Sequence, residues 1–165
     1  MTAPEEWHIL FVDDEPGIRD VARIYLEDAG YRVATAADAA AALQACADAP
    51  PQILVTDIRM PGMDGMALLE AVKERHPDTE VIVATAFGDM DVAIQALRRG
   101  ASDFIAKPLT REALDVALQR ARQRYTDRRN LRTYTDFLER DWSETTEELM
   151  EAIEFQHNLM DSSMD

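Results

Sequence analysis

Cysteine is almost absent: Cys46 is the single one among 165 residues. One thiol excludes an intramolecular disulfide and any cysteine-based metal cluster. Cys46 lies in the Ala-rich stretch AAALQACADA. Nothing nearby would lower its pKa, so a small buried residue is expected there rather than a nucleophile. No run approaches the roughly 18 apolar residues of a membrane-spanning helix. The N-terminal stretch is acidic and lacks a long apolar segment, so no secretory leader and a cytoplasmic location are expected. Basic residues are scarce, 17 Lys and Arg against 32 Asp and Glu, which gives a net charge of -15 at pH 7. That balance argues against direct nucleic-acid binding, which needs clustered Lys and Arg. It suits a solvated protein that holds cations and meets protein partners. No internal repeat on the scale of a solenoid is visible.

Apolar residues make up 47% and charged residues 30%, an ordinary globular balance that supports a single core. Five short apolar, β-branched or aromatic runs fall at 8–12, 32–35, 52–56, 81–85 and 103–106. Between them, helical spacing covers 17–29, 37–47, 66–75 and 92–99, and another helix opens after Thr110. Strands alternating with helices predict parallel strands joined by crossovers. Ile53-Leu54-Val55 and Val81-Ile82-Val83-Ala84 are nearly continuous apolar runs, as central strands covered on both faces require. The expected fold is α/β: a doubly wound, five-stranded parallel sheet, flavodoxin-like, in the order 2-1-3-4-5, with a helical C-terminal extension. Punctuation agrees. Asp14-Glu15-Pro16-Gly17 suits a helix start, Gly30 and Gly100 suit helix ends, and Thr110 suits an N-cap.

The composition changes after about residue 110. Residues 111–132 hold seven arginines against three acids, and residues 136–165 hold ten acids and one arginine. Apolar residues continue at helical spacing through Leu131, Tyr134, Leu138, Trp142, Leu149, Ile153 and Met160. We expect a long helix over 111–140, an interruption at 141–146, and a second helix over 146–160 that starts at a Thr145–Glu148 capping box. The last few residues are expected to fray. The chain thus divides into an α/β domain, 1–125, and a helical extension, 126–165. The extension reads as a dimerisation or interaction helix, with coiled-coil or hairpin spacing. Its basic and acidic halves could pair antiparallel, within or between chains. Two other readings are a linker toward a missing domain of a longer protein, and a solvated cover. Packing against the first domain is the plain alternative.

In open parallel sheets, ligands bind beyond the C-terminal ends of the strands. Asp13 and Asp14 follow the first strand, Asp57 ends the third, Thr85 the fourth, and Lys107 the fifth. The fold therefore gathers three carboxylates, a hydroxyl and an ammonium at one edge. The carboxylates repel one another. A hard divalent cation such as Mg2+ relieves that repulsion through oxygen ligands. Asp57 could then attack phosphorus and form an aspartyl phosphate. Lys107 and the metal would neutralise the equatorial oxygens, and Thr85 would donate to one of them. Singly, each residue has an ordinary reading: a helix cap, a turn acid, a strand end, an exposed base. Jointly, in this order and at these positions, they favour a site.

Over roughly residues 7–125 the sequence resembles the receiver domain of two-component response regulators. The carrying segments are Ile9-Leu10-Phe11-Val12-Asp13-Asp14-Glu15 and Val55-Thr56-Asp57-Ile58-Arg59-Met60-Pro61-Gly62-Met63-Asp64-Gly65. Val83-Ala84-Thr85-Ala86 and Gly100-Ala101-Ser102-Asp103-Phe104-Ile105-Ala106-Lys107-Pro108-Leu109 complete them. The local wording looks most like the nitrogen-regulator type. The resemblance implies that Asp57 accepts phosphate from a sensor histidine kinase. It implies that Asp13, Asp14, Asp57 and the backbone carbonyl of Arg59 hold Mg2+, and that Lys107 contacts the phosphoryl group. Thr85 and Phe104 would be the switch pair, and the peptide bond before Pro108 would be cis. The output face would be the fourth helix, fifth strand and fifth helix. Such a protein is not an enzyme beyond its own phosphorylation and slow autodephosphorylation. Arg59 and Phe87, two positions after Asp57 and Thr85, would slow attack by water. An Asp nucleophile with Mg2+ also describes haloacid-dehalogenase-type phosphatases. Those need an acid two residues after the nucleophile, where this chain has Arg59. No helix-turn-helix, nucleotide-binding loop or cyclase motif follows, so the output is expected to be protein–protein interaction with an unknown target, or homodimerisation through the C-terminal helices.

Overall fold

The computed structural model describes residues 7–164 apart from Phe87, with side chains described for 7–140 and 150–153. The chain separates into two compact units, Met1–Thr126 and Asp127–Asp165. In the first unit, strands and helices alternate. The strands are β1 (His8–Val12), β2 (Arg32–Ala36), β3 (Ile53–Asp57), β4 (Glu80–Thr85) and β5 (Asp103–Ala106). The helices are α1 (Pro16–Asp28), α2 (Ala39–Asp48), α3 (Gly65–Arg75), α4 (Met90–Arg98) and α5 (Arg111–Met164). All pairings are parallel and the sheet order is β2-β1-β3-β4-β5. This is the doubly wound, flavodoxin-like architecture that the alternating runs predict.

Strand side chains alternate between faces, and the core divides accordingly. Leu10, Val12, Leu54, Val81 and Val83 pack with Ala42, Cys46, Leu68, Leu69, Val72 and Ala96 of α2, α3 and α4. Ile9, Phe11, Ile53, Val55 and Ile82 pack with Ala22, Leu26, Leu114, Leu118 and Ala121 of α1 and α5. Each fully buried Leu, Ile or Phe contributes about 1.5–3 kcal/mol relative to exposure, so β1, β3 and β4 are the rigid centre of the unit. Cys46 is fully buried, and burial pushes its thiol pKa up to about 11. It is the inert core residue its Ala-rich setting predicts.

Side chains cap three of the helices. Asp38 and Asp64 accept hydrogen bonds from the backbone N–H groups of Ala41 and Ala67 at 2.8 and 2.9 Å. Thr110 accepts from Ala113 N–H at 3.1 Å. Gly30 and Gly100 stand after α1 and α4 with φ of 97° and 106°, the left-handed region that ends helices.

At the N-terminal edge of the sheet, Glu80 is fully buried. The Ser102 hydroxyl donates to its carboxylate, and Arg124 Nε lies 3.8 Å away. Trp7 and Tyr125 meet edge to face, with ring centroids 5.4 Å apart.

The expected interruption at 141–146 is not observed: α5 runs unbroken from Arg111 to Met164. The chain has no glycine or proline after Pro108. The capping-box pattern at Thr145 and Glu148 therefore has no breaker to act with, and helix propensity carries the backbone through. The side chains of Trp142, Leu149 and Met160 lie outside the described residues. Among the described residues, no helix is long and apolar enough to cross a membrane.

Candidate functional site

The parallel register brings the strand ends together. Val12 pairs with Thr56, Asp57 with Ala84, and Thr85 with Ala106. The residues that follow these positions leave the sheet at one edge. Asp13, the residue after β1, is buried there, and Asp14 beside it is exposed. Asp57 ends β3 and is 8% exposed. Thr85 ends β4 and is buried.

Lys107 spans the site. Its Nζ donates to Asp57 Oδ2 at 2.8 Å and to Asp13 Oδ2 at 3.0 Å. Burial works against the ammonium, but the hydrogen bonds to Asp57 and Asp13 and their negative charges outweigh it. The Lys107 pKa is held above the ordinary lysine value. Its backbone N–H donates to Thr85 O at 2.7 Å, and the Lys107–Pro108 peptide bond is cis. The second oxygens are oriented by the backbone. Glu15 N–H donates to Asp13 Oδ1 at 2.9 Å, and Arg59 N–H to Asp57 Oδ1 at 3.3 Å.

One carboxylate oxygen from each of Asp13, Asp14 and Asp57 lies within 4.8 Å of the others. This donor set is all hard oxygen and carries three negative charges, which fits a hard divalent cation. The loop after Asp57 is drawn tight against the strand. Gly65 N–H donates to Ile58 O at 2.7 Å, and a Cβ on Gly65 would overlap the Asp57 carbonyl oxygen. Only glycine fits there.

Phe104 lies on β5 opposite Val83, partly buried against the α4 side of the core. It also lines a groove of ≈ 560 Å³ with Ala106, Ala113, Val116 and Arg120, between β5 and α5. Met90, Ile94 and Leu97 of α4 are exposed nearby in sequence order, as is Val116 of α5. A smaller apolar cavity of ≈ 200 Å³ lies beside Lys107 and Pro108, lined by Gly17, Ile18, Val21 and Tyr25 of α1.

Two features escape a local reading. The Arg59 guanidinium forks onto the Asp89 carboxylate, with Nε and Nη2 donating at 2.8 and 2.9 Å. The pair raises the Arg59 pKa and lowers that of Asp89, first through the hydrogen bonds and then through charge. It joins the loop after β3 to the start of α4. Arg19 of α1 donates to Asp13 O at 2.7 Å and fixes the loop after β1. An acid at a helix start marks Asp89 as a cap candidate, but nothing local points to a partner 30 residues away. Phe87, expected beside the site with Arg59, lies outside the described residues.

Comparison with known proteins supplies the family. A profile of the response regulator receiver domain matches residues 9–119. The chain is 40% identical over 121 residues to the DNA-binding transcriptional regulator NtrC of Escherichia coli K12, covering 73% of this chain and 26% of that protein. It is 40% identical over 126 residues to the nitrogen assimilation regulatory protein NtrX of Azorhizobium caulinodans, covering 75% and 28%. The chain thus spans about a quarter of the length of these curated relatives. Among solved structures, NtrX from Brucella abortus superimposes with a TM-score of 0.74 at 38% identity, over 81% of this chain and 29% of that one. A receiver domain protein from Clostridium thermocellum gives 0.70 at 33%, over 73% and 97%. With this sheet, this acidic edge and relatives of the nitrogen-regulator type, the chain belongs to the receiver-domain family of two-component response regulators.

Proposed function

We propose that Asp57 is a phosphoacceptor for a sensor histidine kinase in the cytoplasm, and that residues 1–125 form the receiver and 126–165 an interaction segment. The observation that carries this reading is Lys107 Nζ, placed within 3.0 Å of both Asp57 and Asp13 at the edge of a three-carboxylate cluster. An Asp57 oxygen attacks the phosphorus. The bond from phosphorus to the donor imidazole nitrogen breaks, and the imidazole keeps that electron pair and takes up a proton. Lys107 neutralises charge on the transferring oxygens, and Thr85 donates to one of them. Asp13, Asp14, Asp57 and the Arg59 carbonyl would hold Mg2+, which supplies charge neutralisation for carboxylates and phosphoryl oxygens.

Phosphorylation then shifts a population. Thr85 is joined to Lys107 through the backbone, and Phe104 lies on the neighbouring strand. Both border the α4, β5 and α5 face, where Met90, Ile94, Leu97 and Val116 are exposed. Output through protein contact at this face and at the C-terminal helix follows, with homodimerisation as one form of it. The net charge of -15 disfavours direct contact of these residues with DNA.

The test is incubation with acetyl phosphate and Mg2+, read by intact mass. One phosphoryl adduct on the wild type and none on Asp57→Asn is the expected result. Multiple turnover without a trapped adduct would point to a phosphatase. Arg59, held by Asp89 over the loop after β3, is expected to slow attack by water. The adduct should outlast seconds, and Arg59→Ala should shorten its half-life.

A further inference from the structure

Three helices of the receiver begin directly behind an aspartate: α2 behind Asp38, α3 behind Asp64 and α4 behind Asp89. Asp38 and Asp64 turn back and accept from the N–H three residues on, at Ala41 and Ala67. The Asp89 side chain makes no such bond. Both of its oxygens are taken by the Arg59 guanidinium, at 2.8 and 2.9 Å. The N–H three residues beyond it, on Val92, donates to the Asp89 backbone carbonyl at 3.1 Å instead.

A helix start favours a side-chain acceptor, and aspartate is among the best. At α4 the right residue stands at the right position and is committed elsewhere. A cap of this kind is worth about two- to thirtyfold in a local equilibrium. An ion pair to a largely exposed arginine is worth about one- to fivefold, and a two-pronged fork lies at the upper end of that range. The two arrangements are therefore of comparable strength, and a carboxylate with both oxygens in the fork leaves the cap unmade.

The surroundings tie Asp89 to the acidic edge. Arg59 N–H donates to Asp57 Oδ1, so one residue touches both Asp57 and Asp89, and the Asp57 charge also reaches the guanidinium. On the other side, three residues separate Thr85 from Asp89. One of them, Gly88, has φ of 94°, and a Cβ there would meet nothing within 4 Å, so packing does not pin the loop at that point.

We propose that the Asp89 carboxylate alternates between two partners, the Arg59 guanidinium and the Val92 N–H, and that the exchange holds Arg59 near Asp57 in one state and caps α4 in the other. With the fork closed, Arg59 is held and the first turn of α4 lacks its cap. With the fork open, Arg59 is released, and the cap firms the turn that carries Met90, at the head of the exposed Met90, Ile94 and Leu97. Asp89 is then a positioning residue that acts on the phosphoryl site through Arg59. That role rests on the reading of Asp57 as phosphoacceptor, whereas the exchange of partners does not.

Amide hydrogen exchange, followed by NMR on the full unphosphorylated chain, reads the partner. Arg59→Ala frees Asp89 and should slow exchange of the Val92 amide several-fold. Asp89→Asn loses the charge that holds the fork but still caps, so it should slow exchange as well. Asp89→Ala should not, alone or combined with Arg59→Ala. Unchanged or faster exchange in both Arg59→Ala and Asp89→Asn would overturn the proposal, since a purely structural pair loosens when one partner is removed. The lifetime of the adduct formed with acetyl phosphate and Mg2+ reads the positioning role. Asp89→Asn and Arg59→Ala should shorten it to the same degree and the double variant no further, and additive shortening would overturn action through Arg59. Absence of any adduct on the wild type would overturn the phosphoacceptor reading and the positioning role with it, while the Val92 amide still decides the choice of partner.

Discussion

Lys107 gives one ammonium to two carboxylates, and that has a cost for cation binding. The same charge that quiets Asp13 and Asp57 also repels an incoming metal. Lys107→Met should therefore bind Mg2+ more tightly, by roughly tenfold if about 1.4 kcal/mol of repulsion is relieved, while taking up phosphate more slowly. Titration calorimetry and the rate of adduct formation read the two effects separately, and unchanged Mg2+ affinity would contradict the argument. Gly65 is the second sensitive position. A methyl group there meets backbone, which has no rotamer to move. Gly65→Ala should cost about 2–3 kcal/mol in denaturant unfolding and slow phosphorylation by displacing Asp57. The acids and Lys107 are readable from the sequence because a parallel sheet exports its strand ends to one edge. Arg59 with Asp89, and Arg19 with the Asp13 carbonyl, are not readable. Each pair is made by loops and helix starts whose approach the sequence pattern does not encode.

Elements were legible where burial writes its own pattern. β3 and β4 are buried at every position, and their centres are the apolar runs Ile53-Leu54-Val55 and Val81-Ile82-Val83-Ala84. β2 at the sheet edge is half exposed, and it extends to Ala36, one residue beyond the expected end. α2 starts at Ala39 rather than 37 because the Asp38 side chain caps it. α4 starts at Met90, two residues before the expected start, although the Asp89 side chain ahead of it makes no capping hydrogen bond and is held by Arg59 instead. The error at 141–146 has the opposite origin: a capping pattern is permissive, and a helix stops only where something prevents its continuing. Thr110 does stand at a real start. Thr110→Ala should lower stability by about 1 kcal/mol without changing the α5 register, measured by urea unfolding and far-ultraviolet circular dichroism.

At the scale of the whole molecule, acid stability has a specific contributor. Burial first, and Arg32 second, lower the His8 pKa below its ordinary 6.5. The folded state therefore binds this proton less readily than the unfolded chain. The contribution is present above about pH 6.5 and is lost as pH falls through the lowered folded value. Thermal midpoints should decline below that pH, and His8→Gln should flatten the upper part of the decline. The buried Glu80 has a different consequence, for anyone who grafts this receiver onto another output. The family match ends at residue 119, yet the side chains just beyond it close the unit. Arg120 donates to Asp103, Arg122 lies over Tyr31, Ala121 is fully buried, and Arg124 stands beside Glu80. A chimera cut at 119 would strip the guanidinium from beside a carboxylate that water cannot reach. The splice belongs after Thr126.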